Sequence, residues 1–463
     1  MSMQRRTFLI GAASGLSMLL LSGCTTPDPR PTRPTPTPSS PLPRPAGMVR
    51  SRWASDSFTR GASSYLPVGS SPDDRVALRE PVQRRVFFAG EATSSEHPNS
   101  VAGAQESGRR AADEVTAVAD DAERIAIVGA GIAGAAAARQ LTRDGFDVVV
   151  VEARDRTGGR IDTRRSDSWP VPVELGAAWV HDLAGTDVLQ QLTRLQIDTA
   201  IADVRQVRDA AGAVLDVDPA AGAAAVTRAV DAAASGVRDV SVATALADTG
   251  ASTDDPALRV HLADPIVARL GADPDELSAW FATTEVPAGA DQLVTGGMAA
   301  LIDDALDGIR VSLSSAVTRI GYDADGVNLR LATGESLNVD RVIVTVPLGV
   351  LQDGAIEFDP PLPFAQRSAI AALGVGLQDV VWLRFDEPLW STEATLWVSL
   401  DEDLDITQWI NLEPITGEAV LVGRLAGDAA RRFADYDDDE AETAALESLR
   451  PFLEPAAEDG ATG

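Results

Sequence analysis

A glycine-rich turn between a strand and a helix constrains this chain more than any other feature. Residues 125–128 form a short apolar run typical of a buried parallel strand, and Gly129, Gly131 and Gly134 follow in the spacing G-x-G-x-x-G. An alanine-rich helical run comes next, and a second apolar strand ends at Glu152, 23 residues after the first glycine. A strand, glycine turn, helix, strand and acid in this order are typical of dinucleotide-binding units. The pattern predicts that the chain holds a dinucleotide.

Each glycine of this turn has its own predicted task. Gly129 makes the tight turn from strand to helix, Gly131 lets the backbone approach a pyrophosphate, and Gly134 lets the helix and the strand pack closely. Ile132 and Ala133 lie between the glycines, just before the helical run 135–142, whose N-terminus offers free N–H groups and the positive end of its dipole to phosphate. Both are predicted cofactor contacts. The turn and the helix start are therefore the predicted pyrophosphate site.

The residues after the second strand indicate which dinucleotide is bound. Glu152 can accept hydrogen bonds from a ribose diol, and its charge would repel a 2′-phosphate. Two glycines and several guanidinium groups follow, and a guanidinium fork suits phosphate. A solvated arginine-rich loop would explain the arginines alone but not their spacing beside the glycines. The predicted cofactor contacts in this run are Ala153, Arg154, Gly159 and Arg160.

The run 153–160 resembles the second half of the FAD signature of the flavin-containing amine oxidases, the family of monoamine oxidases, polyamine oxidases and flavin histone demethylases. Residues 174–181 resemble the next flavin-contacting segment, and 311–320 resemble a later strand of the family. The resemblance implies an α/β fold, with a doubly wound FAD-binding domain and a second substrate domain of mixed sheet and helices. It adds as cofactor contacts Gly176, Ala177, Trp179 and Val317.

The segments of this resemblance stand in an unusual order. Residues 86–108 resemble the carboxy-terminal flavin signature of the family, yet they precede 124–160 in this chain. The chain therefore resembles a circularly permuted member, and we expect 86–108 and 124–160 to form one site. An error of gene assembly would give the same order. The predicted cofactor contacts in the earlier segment are Gly90, Glu91, Ser100 and Val101.

The amino-terminal residues predict an exported protein. Arg5 and Arg6 form a twin-arginine pattern, and the apolar stretch that follows is too short for a comfortable bilayer span. The residues before Cys24 resemble a bacterial lipoprotein processing site, which would make Cys24 a lipidated first residue at the cell surface or membrane. A plain signal peptide with an incidental cysteine is the alternative. A tether rich in proline, threonine and serine follows.

Motifs and composition divide the chain into predicted segments of different kinds. The segments are a signal peptide (1–23), a tether (24–50), the permuted FAD-domain signature segment (51–118), the dinucleotide-binding segment (124–186), a helical substrate domain (187–285), and the remaining FAD-domain strands with the substrate-domain sheet (286–463).

Charge and cysteine content exclude several classes of function. The chain has 39 basic and 69 acidic residues, a formal net charge of −30, which argues against nucleic acid as a partner. A single cysteine excludes disulfides within the chain. Covalent members of the family attach flavin through a cysteine near the segment where Ser63 and Ser64 stand here, so the resemblance implies non-covalent FAD. The sequence contains no cluster with metal-ligand spacing.

All of the basic residues are arginines, and lysine is absent from the sequence. Most of the family carries an active-site lysine thought to help reoxidation by oxygen, and the resemblance places Val380 at that position. Three functions therefore stay open. They are an oxidase, a flavin dehydrogenase or desaturase that avoids oxygen, and a surface lipoprotein that binds amines without efficient turnover.

The resemblance implies oxidative deamination of a primary or secondary amine, polyamines included, by hydride transfer to flavin N5. Tyr65 is the candidate aromatic wall of the substrate site. His181 resembles a substrate-side histidine of polyamine-oxidising members, and its imidazole titrates in the useful range. The alternative for His181 is a hydrogen-bonded structural histidine. The expected partner is a small-molecule amine.

Overall fold

A parallel sheet that carries the glycine turn lies at the centre of the cofactor-binding part of the fold. The computed structural model describes residues 42–181, 186–286 and 291–453. The predicted signal peptide and Cys24 lie outside the described residues. From Arg44 onward the chain forms one compact unit, so the predicted cofactor and substrate domains are parts of a single body. Among the described residues, every helix is too short or too polar to cross a membrane.

The strands belong to six sheets. They are β1 (Gly47–Arg50), β2 (Ser63–Tyr65), β3 (Val86–Phe88), β4 (Arg124–Val128), β5 (Asp147–Val151), β6 (Thr163–Arg164), β7 (Val173–Glu174), β8 (Trp179–His181), β9 (Thr199–Ala200), β10 (Arg205–Arg208), β11 (Val214–Leu215), β12 (Asp291–Val294), β13 (Val311–Ser312), β14 (Val317–Tyr322), β15 (Val327–Leu331), β16 (Ser336–Val339), β17 (Arg341–Val344), β18 (Glu357–Asp359), β19 (Gly374–Gly376), β20 (Gln378–Arg384), β21 (Leu396–Ser399), β22 (Gln408–Asn411) and β23 (Val420–Ala426).

The helices surround these sheets, and a π-helical segment, Leu262–Val267, joins two of them. They are α1 (Pro72–Arg79), α2 (Val101–Thr116), α3 (Ile132–Arg143), α4 (Val188–Arg194), α5 (Pro219–Ala234), α6 (Val242–Asp248), α7 (Pro256–His261), α8 (Ala268–Leu270), α9 (Ala300–Leu306), α10 (Leu348–Asp353), α11 (Phe364–Ala372), α12 (Glu413–Thr416), α13 (Gly427–Ala434) and α14 (Asp438–Leu449).

The parallel sheet has the strand order β13-β5-β4-β17-β3. Its strands are apolar runs because both faces are buried. Ile125 and Ile127 belong to one core cluster with residues of α2, α3 and α9, whereas Ala126 and Val128 belong to another with the sheet β16-β15-β14-β18. The edge strand β3 pairs in parallel with β17. The segment 86–108 therefore joins the sheet of the glycine turn, although it precedes that turn in sequence.

A seven-stranded sheet forms the second main layer, in the order β1-β20-β23-β22-β21-β10-β11. Its first strand, β1, pairs with β20, so the tether predicted to extend to residue 50 ends before Gly47. The interior of this layer holds Trp397 and Trp409, each 1 % exposed or less. Burial of such large apolar side chains accounts for much of its stability.

The segment 187–285 is not wholly helical, which corrects the predicted helical substrate domain. Helices α4 to α8 lie within it, but β10 pairs in parallel with β21 and also with β11. Both strands thus extend the seven-stranded sheet. The turn signals between these strands are weak in the sequence because alanine and aspartate dominate the whole stretch.

Candidate active site

A large cavity opens between the parallel sheet and the seven-stranded sheet. It has a volume of about 530 Å³ and is lined by residues of 90–104, 128–161 and 174–181, among others. Cavities of a few hundred cubic ångströms that combine apolar walls with a few polar groups are typical ligand sites. The two segments expected to form one site thus line the same cavity.

The glycine turn forms one end of the cavity. Gly129 has a φ of +109°, a backbone conformation that favours glycine, and its N–H donates to the Val151 carbonyl at 2.8 Å. A methyl group on Gly131 would meet only the Gly158 carbonyl oxygen, at 3.7 Å. A methyl group on Gly134 would lie 2.0 Å from the Gly129 carbonyl oxygen. Gly131 therefore leaves open space toward the cavity, and Gly134 permits close packing of helix on strand.

Glu152 stands at the carboxyl end of β5, where the sequence predicted a ribose-binding acid. Its Oε2 accepts the Ala130 N–H at 2.8 Å and its Oε1 accepts the Arg154 N–H at 2.9 Å. These bonds hold the carboxylate beside the glycine turn. Its side chain is buried yet lines the cavity, and each oxygen keeps a lone pair for a ligand hydroxyl.

Two helices point their N-termini at this end of the cavity. One is α3, which begins directly after Gly131, and the other is α2, which begins after Ser100. The Ser100 hydroxyl oxygen accepts the Gly103 N–H at 3.0 Å and caps α2. The free N–H groups of two helix starts favour a ligand with more than one negative group.

All but two of the cofactor-binding and catalytic residues predicted from the sequence line the cavity. They are Gly90, Glu91, Ser100, Val101, Gly129, Gly131, Ile132, Ala133, Glu152, Ala153, Arg154, Gly159, Arg160, Gly176, Ala177, Trp179, His181 and Val317.

The two exceptions are Gly134 and Tyr65. Gly134 lies within α3 and contacts the strand turn, so its role is packing and not contact with a ligand. Tyr65 is 7 % exposed and packs in a core cluster with residues of α5 to α8, away from the cavity lining. Burial, with Glu276 next in weight, raises the pKa of Tyr65 to about 12. The prediction of Tyr65 as an aromatic wall is therefore wrong.

The arginines of the FAD-like run are held by carboxylates in this structure. Both terminal nitrogens of Arg154 donate hydrogen bonds to the Asp56 carboxylate, at 2.7 Å each. Arg160 donates to Glu91 Oε1 at 2.9 Å and to the Ala62 carbonyl at 2.7 Å. A guanidinium fork donates to carboxylate and to phosphate in the same bidentate geometry. Asp56 and Glu91 therefore hold Arg154 and Arg160 in the cavity wall, and contact of these two arginines with the cofactor stays a prediction.

Glu91 is the centre of a buried polar network. The carboxylate accepts the Ser64 hydroxyl at 2.6 Å, and Ser64 also accepts from Arg75, which is 1 % exposed. Burial alone would raise the pKa of Glu91, but Arg160 and Arg75 outweigh it and hold the pKa below its usual range. Glu91 therefore stays ionised and ties 86–108 to 124–160.

His181 lies on β8 at the other end of the cavity, beside Asp291 on the neighbouring strand β12. Its Nδ1 is 2.5 Å from Asp291 Oδ1, and Arg269 also donates to Asp291. Burial, followed by the charges of Arg269 and Arg424, lowers the pKa of His181 to about 4. The imidazole is neutral at neutral pH, and we assign its proton to Nδ1 because the contact with the carboxylate is the shortest. Nε2 is then a hydrogen-bond acceptor.

Four charged residues of this end were missed by the sequence analysis: Asp264, Arg269, Asp291 and Arg424. They lie far apart in sequence and form no motif. A signal for Arg424 was present, because it is the one charged residue in the otherwise apolar strand β23. Asp264 lies in the π-helical segment, a structure that often marks a functional site.

Val380 also lines the cavity, with Gln378 and Trp382 on the same face of β20. The Trp382 indole N–H donates to the Glu174 carbonyl at 3.0 Å. The Val380 position lies at the cavity, as the resemblance predicted, and presents an apolar side chain there.

The described residues hold no group of three or more side chains able to bind a metal ion. His97 Nδ1 lies 2.8 Å from Glu106, as one member of a simple pair.

The parallel sheet, the glycine turn with its acid, and the adjoining cavity define a dinucleotide-binding oxidoreductase. The sequence pattern of the flavin containing amine oxidoreductases matches residues 36–116 and 132–462. The chain therefore belongs to the flavin-containing amine oxidoreductase family, and FAD is its cofactor. The open space at Gly131, the two helix N-termini and Glu152 fit such a dinucleotide.

Several known proteins resemble the chain over most of its length. Polyamine oxidase 4 of Oryza sativa subsp. japonica is 29 % identical over 360 residues, covering 72 % of this chain and 74 % of that protein. The protein FLOWERING LOCUS D of Arabidopsis thaliana is 30 % identical over 357 residues, covering 72 % of this chain and 45 % of that protein.

Solved structures share the fold. Wild-type putrescine oxidase bound to putrescine has a TM-score of 0.59 and 22 % identity, covering 73 % of this chain and 83 % of the other. Cyclohexylamine oxidase from Brevibacterium oxydans IH-35A has a TM-score of 0.58 and 23 % identity, covering 72 % and 82 %.

Proposed function

We propose that the protein oxidatively deaminates a primary or secondary amine with non-covalently bound FAD. The observation that carries this is one cavity that joins the dinucleotide turn at Gly131 to the partly buried histidine His181. Bound FAD would supply a two-electron acceptor for a hydride from the carbon beside the amine nitrogen; water would hydrolyse the iminium ion left behind to a carbonyl compound and ammonia or an amine, with its proton passing to solvent. An external acceptor removes the two electrons.

His181 is proposed to orient the amine. Its Nε2 accepts a hydrogen bond from the substrate N–H, and Asp291 fixes the ring through Nδ1. With a pKa of about 4, this imidazole is too weak a base to remove a proton from an ammonium ion. The substrate therefore has to react as the neutral amine, and the apolar walls around Val380 and Trp382 favour that neutral form.

The test is an anaerobic absorbance spectrum of the purified full chain before and after addition of a panel of amines. Reduction of the bound flavin by at least one amine is the expected result. A protein that holds FAD and is reduced by none of the amines would contradict the proposal, and would favour the alternative of an amine-binding protein without turnover. Release of FAD on denaturation in urea checks that the cofactor is not covalently bound, as Ser63 and Ser64 imply.

A flavin dehydrogenase or desaturase that does not use oxygen is the second candidate, and Val380 favours it. An apolar side chain supplies neither a proton nor a positive charge at this point of the cavity. Turnover with an artificial electron acceptor, but not with dissolved oxygen, would identify this function. Equal turnover with both acceptors would identify an oxidase.

We also propose that the chain is circularly permuted relative to its family. The support is the placement of 86–108 and 124–160 around one cavity, joined by the pair Glu91 and Arg160. Chain ends that lie close together on a surface tolerate such rearrangement. A rearranged chain, with 119–453 placed before 47–118, keeps the pair of Arg341 and Glu123 and should fold and bind FAD with unchanged affinity. Loss of both properties would contradict permutation.

Export and lipid anchoring are proposed from the amino-terminal sequence. Arg5, Arg6 and Cys24 carry this proposal. Replacement Cys24→Ser should move the protein from the membrane fraction to the soluble fraction, because a single residue would hold the lipid. Replacement of both arginines by lysine should retain the protein in the cytoplasm. Membrane association that survives Cys24→Ser would overturn the anchor.

A further inference from the structure

A cluster of charged side chains stands at the His181 end of the cavity, and its charges do not balance. Five of its members line the cavity, and the sixth, Arg205, lies behind Asp264. We call it the arginine cluster. Its members are Arg205, Arg269, Arg424, Asp264, Asp291 and His181.

Both carboxylates of the arginine cluster are already paired. Asp264 accepts from Arg205 at 2.6 Å and from Arg424 at 3.0 Å. Burial would raise the pKa of Asp264, but Arg424 and Arg205 outweigh it and keep the pKa below its usual value. Asp291 accepts from Arg269. Neither carboxylate therefore has a free charge to attract the ammonium group of a substrate.

Counted over residues 42–181, 186–286 and 291–453, the cluster carries a surplus of one positive charge. It has three guanidinium groups against two carboxylates, and His181 is neutral because burial and the charges of Arg269 and Arg424 keep its pKa at about 4. An excess guanidinium in a partly buried cavity is costly unless an anion meets it. The chain as a whole is strongly acidic, with a net charge of −30, so this surplus is a local feature of the cavity.

Arg424 has donors that are free to meet such an anion. Its Nη1 binds Asp264, and its side chain is 16 % exposed. Its Nε and Nη2 have no hydrogen-bond partner among residues 42–181, 186–286 and 291–453. Those two nitrogens form one edge of the guanidinium, the edge with which Arg75 holds both oxygens of Glu285 at 2.7 and 2.8 Å. The free edge of Arg424 has the geometry for a carboxylate.

We propose that the substrate is an amine that also carries a carboxylate, and that Arg424 binds this carboxylate with Arg269 beside it. The inference rests on the proposed amine oxidation and adds the class of amine. A simple diamine such as 1,4-diaminobutane, even with its reacting amine neutral, would bring a second positive charge to a cavity that already has one in excess. An amine with a carboxylate would neutralise the surplus and satisfy the free edge of Arg424.

The test measures equilibrium binding to the FAD-loaded protein by calorimetry, with butanoate, 1-butylamine and 1,4-diaminobutane as probes. Butanoate contains no amine to oxidise, so its binding is independent of turnover. We expect butanoate to bind about tenfold tighter than 1-butylamine, a difference of about 1.4 kcal/mol. Arg424→Gln should remove this preference and Arg424→Lys should keep part of it. Arg330→Gln, the same change at an exposed position of β15, is the matched control and should change nothing.

Each result bears on the inference separately from the proposed function. Tighter binding of the diamine than of butanoate, or a preference unchanged in Arg424→Gln, overturns the anionic subsite while leaving amine oxidation intact. Binding of butanoate that depends on Arg424, in a protein whose flavin no amine reduces, supports the subsite and contradicts the proposed function. If Arg424→Gln does not fold, Arg269→Gln serves as the second variant and should also weaken the binding of butanoate.

Discussion

Val380 and Arg424 face each other across the neighbouring antiparallel strands β20 and β23, and both side chains line the cavity. Residues directly opposite in such a pair lie on the same face of the sheet and are close enough to interact. The cavity wall is therefore apolar at one position and cationic at the next. The positive charge of this wall comes from β23, one strand away from Val380, the position that the resemblance aligns with the active-site lysine of the family.

The glycine turn gives a prediction with a matched pair of substitutions. Gly131→Ala should leave the FAD-free protein as stable as the original, because the new methyl group would meet only the Gly158 carbonyl oxygen at 3.7 Å. The same methyl group projects toward the space of the pyrophosphate, so the affinity for FAD should fall about tenfold or more, at least about 1.4 kcal/mol.

Gly134→Ala is the contrasting change. Its methyl group would lie 2.0 Å from the Gly129 carbonyl oxygen, so the FAD-free protein itself should lose about 1–3 kcal/mol of unfolding free energy. Urea denaturation without FAD and titration with FAD separate the two effects. Equal destabilisation of the FAD-free protein by both substitutions would show that Gly131 serves packing and not the ligand.

The local part of the site could be predicted from sequence because each motif residue acts through its own backbone. Gly129, Gly131 and Glu152 lie within one strand–helix–strand unit, and their spacing fixes their geometry. Arg424 and Asp291 could not be predicted in this way, since β23 and β12 come to the cavity only through the pairing of distant strands.

Tyr65 is a residue that the sequence prediction placed at the site and that the structure places in a core cluster. It was assigned to the site by resemblance to a family segment, but its ring packs against the backbone of β19, where Gly374 leaves room for it. Which side of a three-residue strand faces a cavity depends on its partner strand, and the sequence does not specify that partner.

The pair Glu91 and Arg160 offers a test of how the two separated segments meet. Glu91→Gln removes the charge that compensates Arg160, whose side chain is 24 % exposed. We expect a loss of about 3 kcal/mol in unfolding free energy, since breaking a buried pair leaves its partner without compensation. The double variant Glu91→Gln with Arg160→Met should lose much less unfolding free energy than the sum of the losses in the two single variants.

The coupling free energy between Glu91 and Arg160 is measured by a double-mutant cycle with urea denaturation. The exposed pair of Arg319 and Glu357 on β14 and β18 is the control, with an expected coupling below about 1 kcal/mol. Strict additivity at Glu91 and Arg160 would mean that the two segments do not meet as described.

Glu174 predicts a pH dependence of stability. This carboxyl group is 1 % exposed, and burial raises its pKa from 4.5 to about 7, although the Met298 N–H and the Thr163 hydroxyl bind it. Between these two pH values the unfolded chain has released the proton that the folded protein still holds. The unfolding free energy therefore falls as the pH rises from about 4.5 to about 7.

Glu174→Gln should remove this loss, because an amide can accept from Met298 and donate to Thr163 without a charge. The variant should equal the original protein near pH 4.5 and exceed it by up to about 3 kcal/mol above pH 7. Urea denaturation at pH 4.5, 6 and 8 gives the comparison, with the exposed Glu335→Gln as control. A constant difference between variant and original at all three pH values would contradict the assigned pKa.

His181 predicts which group controls the pH dependence of turnover. Since its pKa is about 4, the imidazole is neutral throughout the range in which amines deprotonate. The rise of kcat/KM with pH should then follow the pKa of the substrate amine and shift when amines of different pKa are compared.

His181→Phe should lower kcat/KM about tenfold to hundredfold, because the acceptor at Nε2 is lost, which corresponds to about 1.4–3 kcal/mol. The same variant should leave the inflection of the pH profile where it was. An inflection near neutral pH that is independent of the substrate and vanishes in His181→Phe would instead make this histidine a general base, and the assignment of a neutral hydrogen-bond acceptor would be wrong.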